Sequence, residues 1–338
     1  MDEQQLMEMK QLLREAGSTD PNVAIAKQMA LAAQLTVPVR SGVLSGTTID
    51  GIFTREVFDP NARIEYPIDF YRPDNAGEFV AYVVPNQGRI PQRQVEGDYT
   101  SVPTYDIASS IDFLIRYARE ARWDILSRAL EVLEAGMVMK INDDAWHTIQ
   151  MAGYDRNIIV SDANASAGQF TKKLISLMKL VMRRNGGGNS GSMSRTKLTN
   201  LFVSPEAMED MRDWGVDQLD DVTRREIFVA EDGSYNNIYS VKITDLDELG
   251  ENQAYQDFYT NVVVPAGGGS GTGLTSGDVE LVIGLDTSKQ DSFVMPIRDE
   301  IETFADPALH RENRMGFYSR GSFGVGVLDN TRVLLGSL

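Results

Sequence analysis

The chain contains no cysteine, so disulfides, thiol nucleophiles and thiolate-bound metals are excluded at the outset. Histidine is nearly as scarce. His147 and His310 are the only two in 338 residues, too few for a histidine-rich zinc site. Positive charge is short as well: 32 lysines and arginines face 49 aspartates and glutamates, for a formal net charge of -17. Such a surface repels phosphate backbones, which argues against a dedicated nucleic-acid binder but fits a wall that faces packed DNA without gripping it. No run approaches the roughly 18 apolar residues of a membrane span. The opening MDEQQLMEMKQLLREAG is charged and amphipathic, unlike a secretion signal. The expectation is a product made in the cytoplasm, without membrane contact.

The signatures of common catalytic sites are missing too. No Gly-Lys pair occurs, which removes the phosphate loop. The glycine run 267–273 lacks dinucleotide-fingerprint spacing and leads into strand-like sequence, so it reads as a flexible loop. A Gly-x-Ser-x-Gly elbow is absent. Nothing near either histidine marks an activated nucleophile, and each reads as a surface or interface residue. Asp245-x-Asp247-x-Leu249-Gly250 starts like a calcium loop but has Leu249 at the fifth position and Gln256 at the twelfth, where glutamate is needed. It reads as a solvated acidic turn. Carboxylates abound, yet no pair stands out as catalytic. Neither enzymatic activity nor a cofactor or metal is expected.

With 42% hydrophobic residues the chain can bury a sizeable core, in one large domain or two to three smaller ones. Leu6, Met9, Leu12 and Leu13 place a helix at 3–16, ended by Gly17 and Asp20-Pro21. An Ala-rich, weakly helical segment covers 22–35. Residues 36–62, with Pro38, Gly42, Gly46, Gly51 and Pro60, carry little pattern and read as a mobile tail or as an arm ordered on neighbours. Residues 63–104 alternate like strands around two turn signals, predicting a long hairpin or meander. Two arms of about 15 residues would reach roughly 50 Å. Such a ribbon cannot cover its own apolar face, so it lies on its own domain or on a neighbour.

The clearest helix spans 119–150. Trp123, Leu126, Leu130, Leu133, Met137 and Ile141 form one stripe over five turns, with Arg122, Arg128, Glu131 and Glu134 opposite. A further helix is expected at 170–184, followed by a Gly/Asn/Ser loop at 185–192. A buried strand at 198–205 then leads into a helix at 205–214, capped by Ser204 with Pro205 in its first turn. EIFVA, IYSVKITD and NVVVP read as short strands within 226–265. VELVIGLD and FVMPIRDE follow as strands, and FGVGVLDNTRVLLGSL as a closing strand pair across Asp329-Asn330. The class is α+β, without regular βαβ alternation.

The order of these parts resembles the tailed-bacteriophage major capsid proteins of the Hong Kong 97-type fold. Tyr105-Asp106-Ile107-Ala108-Ser109-Ser110-Ile111 looks like that family's strand returning from the extended E-loop hairpin. Asn142-Asp143-Asp144-Ala145-Trp146 through Gly153 looks like the close of its spine helix. Gly316-Phe317-Tyr318-Ser319-Arg320 through Gly326-Val327-Leu328-Asp329 looks like its C-terminal strands. The resemblance covers most of residues 20–338. It implies an N-terminal arm at 1–62, an E-loop at 63–104, a peripheral (P) domain with the spine helix at 105–155, an axial (A) domain at 156–305, and strands returning to the P domain at 306–338.

The resemblance further implies an icosahedral shell of hexamers and pentamers that encloses double-stranded DNA in the virion, with no catalysis. Each E-loop would lie over an adjacent subunit, with Phe79, Tyr82 and Val84 supplying apolar burial. Arg89 and Arg93 would pair with a neighbour's Glu131 or Glu134. No lysine occurs between Lys27 and Lys140, so an isopeptide crosslink from an E-loop lysine is not available. Noncovalent contacts or a separate cement protein would hold the shell. About sixty residues precede the hairpin and Met1 begins the chain, so a separate scaffolding protein is expected, with a portal as a further partner. Alternatives are an encapsulin-type nanocompartment shell, another phage structural protein such as a tail tube or decoration protein, and a hydrolase of unknown type. The long helix disfavours a mainly β tail or decoration protein.

Overall fold

The computed structural model describes residues 3–68, 98–166, 168–185, 196–214, 235–266 and 280–338. The described helices are α1 (Glu3–Ala16), α2 (Pro21–Ser45), α3 (Ile115–Arg119), α4 (Trp123–Asp155), α5 (Lys172–Asn185), α6 (Pro205–Asp213) and α7 (Ala254–Phe258). The strands up to the second half of the chain are β1 (Thr54–Val57), β2 (Glu65–Ile68), β3 (Asp98–Ser101), β4 (Tyr105–Leu114), β5 (Ile159–Ser161) and β6 (Asn200–Val203). Those that follow are β7 (Tyr235–Ile238), β8 (Val241–Asp245), β9 (Leu281–Leu285), β10 (Phe293–Asp306), β11 (Arg314–Phe323), β12 (Gly326–Val327) and β13 (Val333–Ser337). The chain divides into two compact units.

The first unit comprises Met1–Ile64, Val102–Ala145 and Val294–Gly326. Its sheet runs β1-β10-β11-β4, with β12 also on β10. Strand β1 joins β10 in parallel, and the long β10–β11 and β11–β4 pairs are antiparallel. Leu126, Leu130, Leu133, Met137 and Ile141 of α4 are buried, as the stripe predicted. Ala121 takes a left-handed φ of 52° and separates α3 from α4, so the long helix starts at Trp123 rather than at residue 119.

Residues 36–45, expected to lack regular structure, continue the second helix. Asp20 caps it by accepting from the Asn22 amide, and Pro21 occupies the first turn, where its missing N–H costs nothing. Pro38 sits inside, and tertiary contacts hold the helix across it. Leu31, Leu35, Val39 and Val43 are buried, and the Thr303 amide of β10 donates to Thr36 Oγ1 at 3.2 Å. Gly42 lies so close to Glu134 of α4 that an added Cβ would sit 2.4 Å from its carboxylate. The turn between α1 and α2 is tied down as well: Arg119 Nε donates to the Gly17 carbonyl at 2.7 Å. Residues 3–45 are therefore a helical pair within this unit, and the low-pattern run 36–62 begins with ten helical residues.

The second unit comprises Glu65–Ser101, Trp146–Phe293 and Val327–Leu338. Its six-stranded sheet runs β5-β13-β9-β6-β8-β7. Met178 and Met182 of α5, Met208 and Met211 of α6, and Leu201, Val282 and Leu334 of the sheet share one buried cluster. Ser204 Oγ accepts from the Ala207 amide at 3.1 Å, the expected cap of α6. The last ten residues of α4 belong here. Trp146 meets Phe202 edge-on at 4.8 Å between centroids, and Gln150 Nε2 donates to the Tyr255 carbonyl.

IYSVKITD (238–245), expected as one strand, is split between β7 and β8 by a turn at Tyr239-Ser240, and two further strand expectations fail in this unit. NVVVP (261–265) is helical: α7 continues through a π-helical Tyr259–Val263 into Val264–Ala266. Burial of Tyr255, Tyr259 and Val263 at four-residue intervals overrides the β-branched preference. The wide turn falls just before Pro265, which has no amide to close an α-type bond. The closing segment is also not a strand pair across Asp329-Asn330. Asp329 Oδ1 accepts from the Thr331 amide and caps a 3-10 turn, Asn330–Arg332. Strand β12 then pairs with β10, whereas β13 pairs with β9 and β5. Strand β11 lies in the first unit and β13 in the second. EIFVA at 226–230 and the two glycine-rich loops lie outside the described residues, apart from Asn185, the last residue of α5.

Arg332 and Asp286 form a fully buried ion pair at 2.7 Å, with Arg332 also reaching Asp329 at 3.3 Å. The Lys197 and Ser288 amides complete the Asp286 carboxylate. Removing one partner strands a charge in the core. We expect Arg332→Met to lower unfolding free energy by ~3–5 kcal/mol in chemical denaturation, and Asp286→Asn in the same chain to restore part of it.

Candidate assembly surfaces

The proposed contact residues fall in two places. Phe79, Tyr82, Val84, Arg89 and Arg93 lie outside the described residues. The base of their ribbon is described: β2 and β3 pair antiparallel, with Glu65 opposite Ser101 and Ile68 opposite Asp98. Tyr66 is buried there and Tyr99 exposed, so the two faces of this strand pair differ. Where the chain returns, Tyr105 Oη donates to Asp144 Oδ2 of α4 at 2.7 Å, and Lys140 Nζ holds the other oxygen at 2.6 Å. Burial and the Asp144 charge both push the Tyr105 phenol well above its ordinary range.

Glu131 and Glu134 both project from α4 but meet different surroundings. Glu131 lines an open cleft of about 590 Å³ together with Lys10, Trp123, Asp124 and Arg128. The cleft mixes both signs of charge around an indole edge. Glu134 is one turn on, half-buried against Gly42 of α2. Burial raises its carboxyl above the usual carboxylate range, and the nearby Glu131 charge adds to the effect. Exposed Val132 and Met139 continue the outer face of the helix. The sequence did not single out the outer face of α2, which is exposed and uncharged over several turns.

Both histidines and the acidic turn have structural settings. His147 stacks on Phe258, with ring centroids 3.6 Å apart, and meets Tyr255 edge-on. His310 lies in a 3-10 turn, Pro307–Glu312, with Nε2 buried. In the acidic turn after β8, Leu246 and Leu249 are buried and Gly250 takes a φ of 123°. No group of three or more His, Asp or Glu residues that could hold a metal occurs among the described residues. No described helix is long and apolar enough to cross a membrane.

Sequence comparison finds no matching family model and no matching curated protein. Solved structures do match. The chain is similar to the head structure of Helicobacter pylori bacteriophage KHP40, with a TM-score of 0.58 at 9% identity, over 86% of this chain and 90% of that one. It is similar to the structure of Microbacterium phage Oxtober96, with a TM-score of 0.55 at 10% identity, over 86% and 90%. The Cyanophage Pam1 capsid asymmetric unit matches with a TM-score of 0.53 at 13% identity, over 85% and 88%.

One titrating group in the second unit gives a measurable consequence. Ser204 Oγ donates to Glu280 Oε2 while capping α6. Burial raises the Glu280 carboxyl, and the charges of Glu206, Asp210 and Glu251 add to this, against the lowering by Ser204. A carboxyl raised on folding stabilises most below its unfolded value, and that contribution is lost as pH rises through the folded value. We expect Tm of Glu280→Gln to fall less than that of the parent between pH 4.5 and 7.5, and to exceed it at the upper end. Thermal scans across that range check it; parallel curves would refute it.

The matches cover 85–86% of the chain, and at such identities the likeness establishes the fold: a mixed helix-and-sheet chain with the fold of phage head and capsid proteins, as the resemblance to the Hong Kong 97-type proteins implied.

Proposed function

We propose that this chain is the major capsid protein of a tailed bacteriophage, assembling into an icosahedral shell around double-stranded DNA. The observation that carries this reading is the match of its fold to phage head structures over 85–86% of its length. A net charge of -17 suits a wall that contains DNA without adhering to it.

On this reading α4 is the spine helix, and the first unit corresponds to the P domain. The six-stranded unit corresponds to the A domain, and residues 63–104 to the E-loop. Phe79, Tyr82 and Val84 are covered by an adjacent subunit. Arg89 and Arg93 pair with carboxylates on that subunit's α4; exposed Glu131 is better disposed than half-buried Glu134. Each such surface pair is worth under ~1 kcal/mol, so it selects geometry through repetition rather than strength. A separate scaffolding protein and a portal are further partners, noncovalent contacts or a cement protein hold the shell, and the virion is its final location.

The test is expression alone and with candidate scaffolding proteins, followed by sedimentation and electron microscopy. Closed particles or capsomers are expected, and a chain that stays monomeric under all these conditions would sink the reading. Arg89→Glu combined with Arg93→Glu is expected to reduce particle yield at least tenfold. Adding Glu131→Arg is expected to recover part of that loss.

A further inference from the structure

Helix α2 is apolar on both sides, which is the pattern of a helix covered all round. Its inner side faces the first unit, through Leu31, Leu35, Val39 and Val43. Its outer side is bare: Met29 is 55% and Val37 62% exposed. From Ala26 to Ser41 no exposed position carries a charge, in a chain with 24% charged residues. The two charged residues of this stretch, Lys27 and Arg40, are partly buried and paired with Glu15 and Glu300.

We propose that this face docks on the same face of a second copy, with the two α2 helices antiparallel about a two-fold axis between Ala33 and Gln34. Two features favour a second copy. Copies of a chain with net charge -17 repel, and they approach without burying unpaired carboxylates only where carboxylates are missing. The exposed pattern is also self-complementary. Reflection about that midpoint sets Ala30 opposite Val37, Met29 opposite Pro38 and Ala26 opposite Ser41, small residues against larger ones in the first two pairs. The two Gln34 amides fall beside the axis, where they can bond to each other. The face is about 24 Å long and ~10 Å wide. This is far below the ~800 Å² per partner of a standard interface, so the contact works beside others or at high local concentration.

The absence of cysteine allows a clean test. Gln34→Cys chains are expected to be trapped as disulfide dimers under mild oxidation, at least tenfold more than Thr19→Cys chains, whose cysteine lies at the exposed α1–α2 turn. Ala26→Cys chains should not dimerise alone, since the two copies of residue 26 lie about 22 Å apart in this pairing. They should crosslink when mixed with Ser41→Cys chains. Ala30→Glu added to Gln34→Cys should abolish the dimer while leaving circular dichroism and Tm unchanged. The proposal is overturned if Gln34→Cys chains stay monomeric, or if Ala26→Cys chains dimerise alone as readily. It stands apart from the shell reading: particles without crosslinks refute only this pairing, and crosslinks without particles refute only the shell.

Discussion

Everything in this molecule rests on burying one stripe of a single long helix. Thirty-three residues of α4 run unbroken, about 50 Å at the usual rise. In proteins most helical stability comes from packing an apolar face rather than from propensity, and α4 is packed along one side. Leu126 to Ile141 are buried within the first unit, and Trp146, Ile149 and Gln150 within the second. Each unit thus buries its own portion of the helix. Gly153 makes the point at atomic scale: a Cβ there would sit 2.7 Å from Leu335 of β13, so the helix end admits no side chain.

The polar groups follow a different rule in the core from that at the surface. Arg332, Asp286 and the amides around them are buried and mutually satisfied, which fixes the last turn before β13. Surface pairs such as Arg314–Asp112 and Arg320–Asp106 tie β11 to β4 across exposed positions and contribute little each. The carboxylates in excess are left to solvent or crowded together, as around Glu280. Net repulsion between copies follows directly, and it makes the uncharged face of α2 physically unusual.

Legibility from sequence followed contrast. Helix α4 was readable because its apolar stripe alternates with Arg128 and Glu131. Helix α6 was readable because Ser204 and Pro205 mark its start. The hairpin base at 65–68 and 98–101 was readable from alternation. Helix α2 lost its second half because apolar and small residues occupy both its sides, leaving no period to detect, and because Pro38 and Gly42 read as breakers. Gly42 in fact admits the Glu134 carboxylate, a reason visible only once α2 and α4 are side by side. NVVVP failed for the opposite cause: local preference was clear, and burial of Tyr259 and Val263 overruled it. Of the contact residues, the sequence placed Glu131 and Glu134 on one helix face. It could not show that one faces an open cleft while the other lies against a second helix.

Weak, repeated contacts suit the proposed role better than strong ones. A closed shell of many copies corrects a misplaced subunit only if that subunit can leave, so each contact must be individually reversible. A chain with no cysteine, and with no lysine between Lys27 and Lys140, offers neither a disulfide nor a lysine isopeptide bond from residues 63–104. On the proposed contacts it would rely on charge pairs worth less than ~1 kcal/mol and on an apolar helix face too small to hold a dimer alone. Repulsion from a net charge of -17 would offset several such contacts, and it weakens as salt shortens the screening length. Assembly governed by these terms should therefore respond to ionic strength through copy–copy repulsion, whereas the buried core that shapes each copy should not.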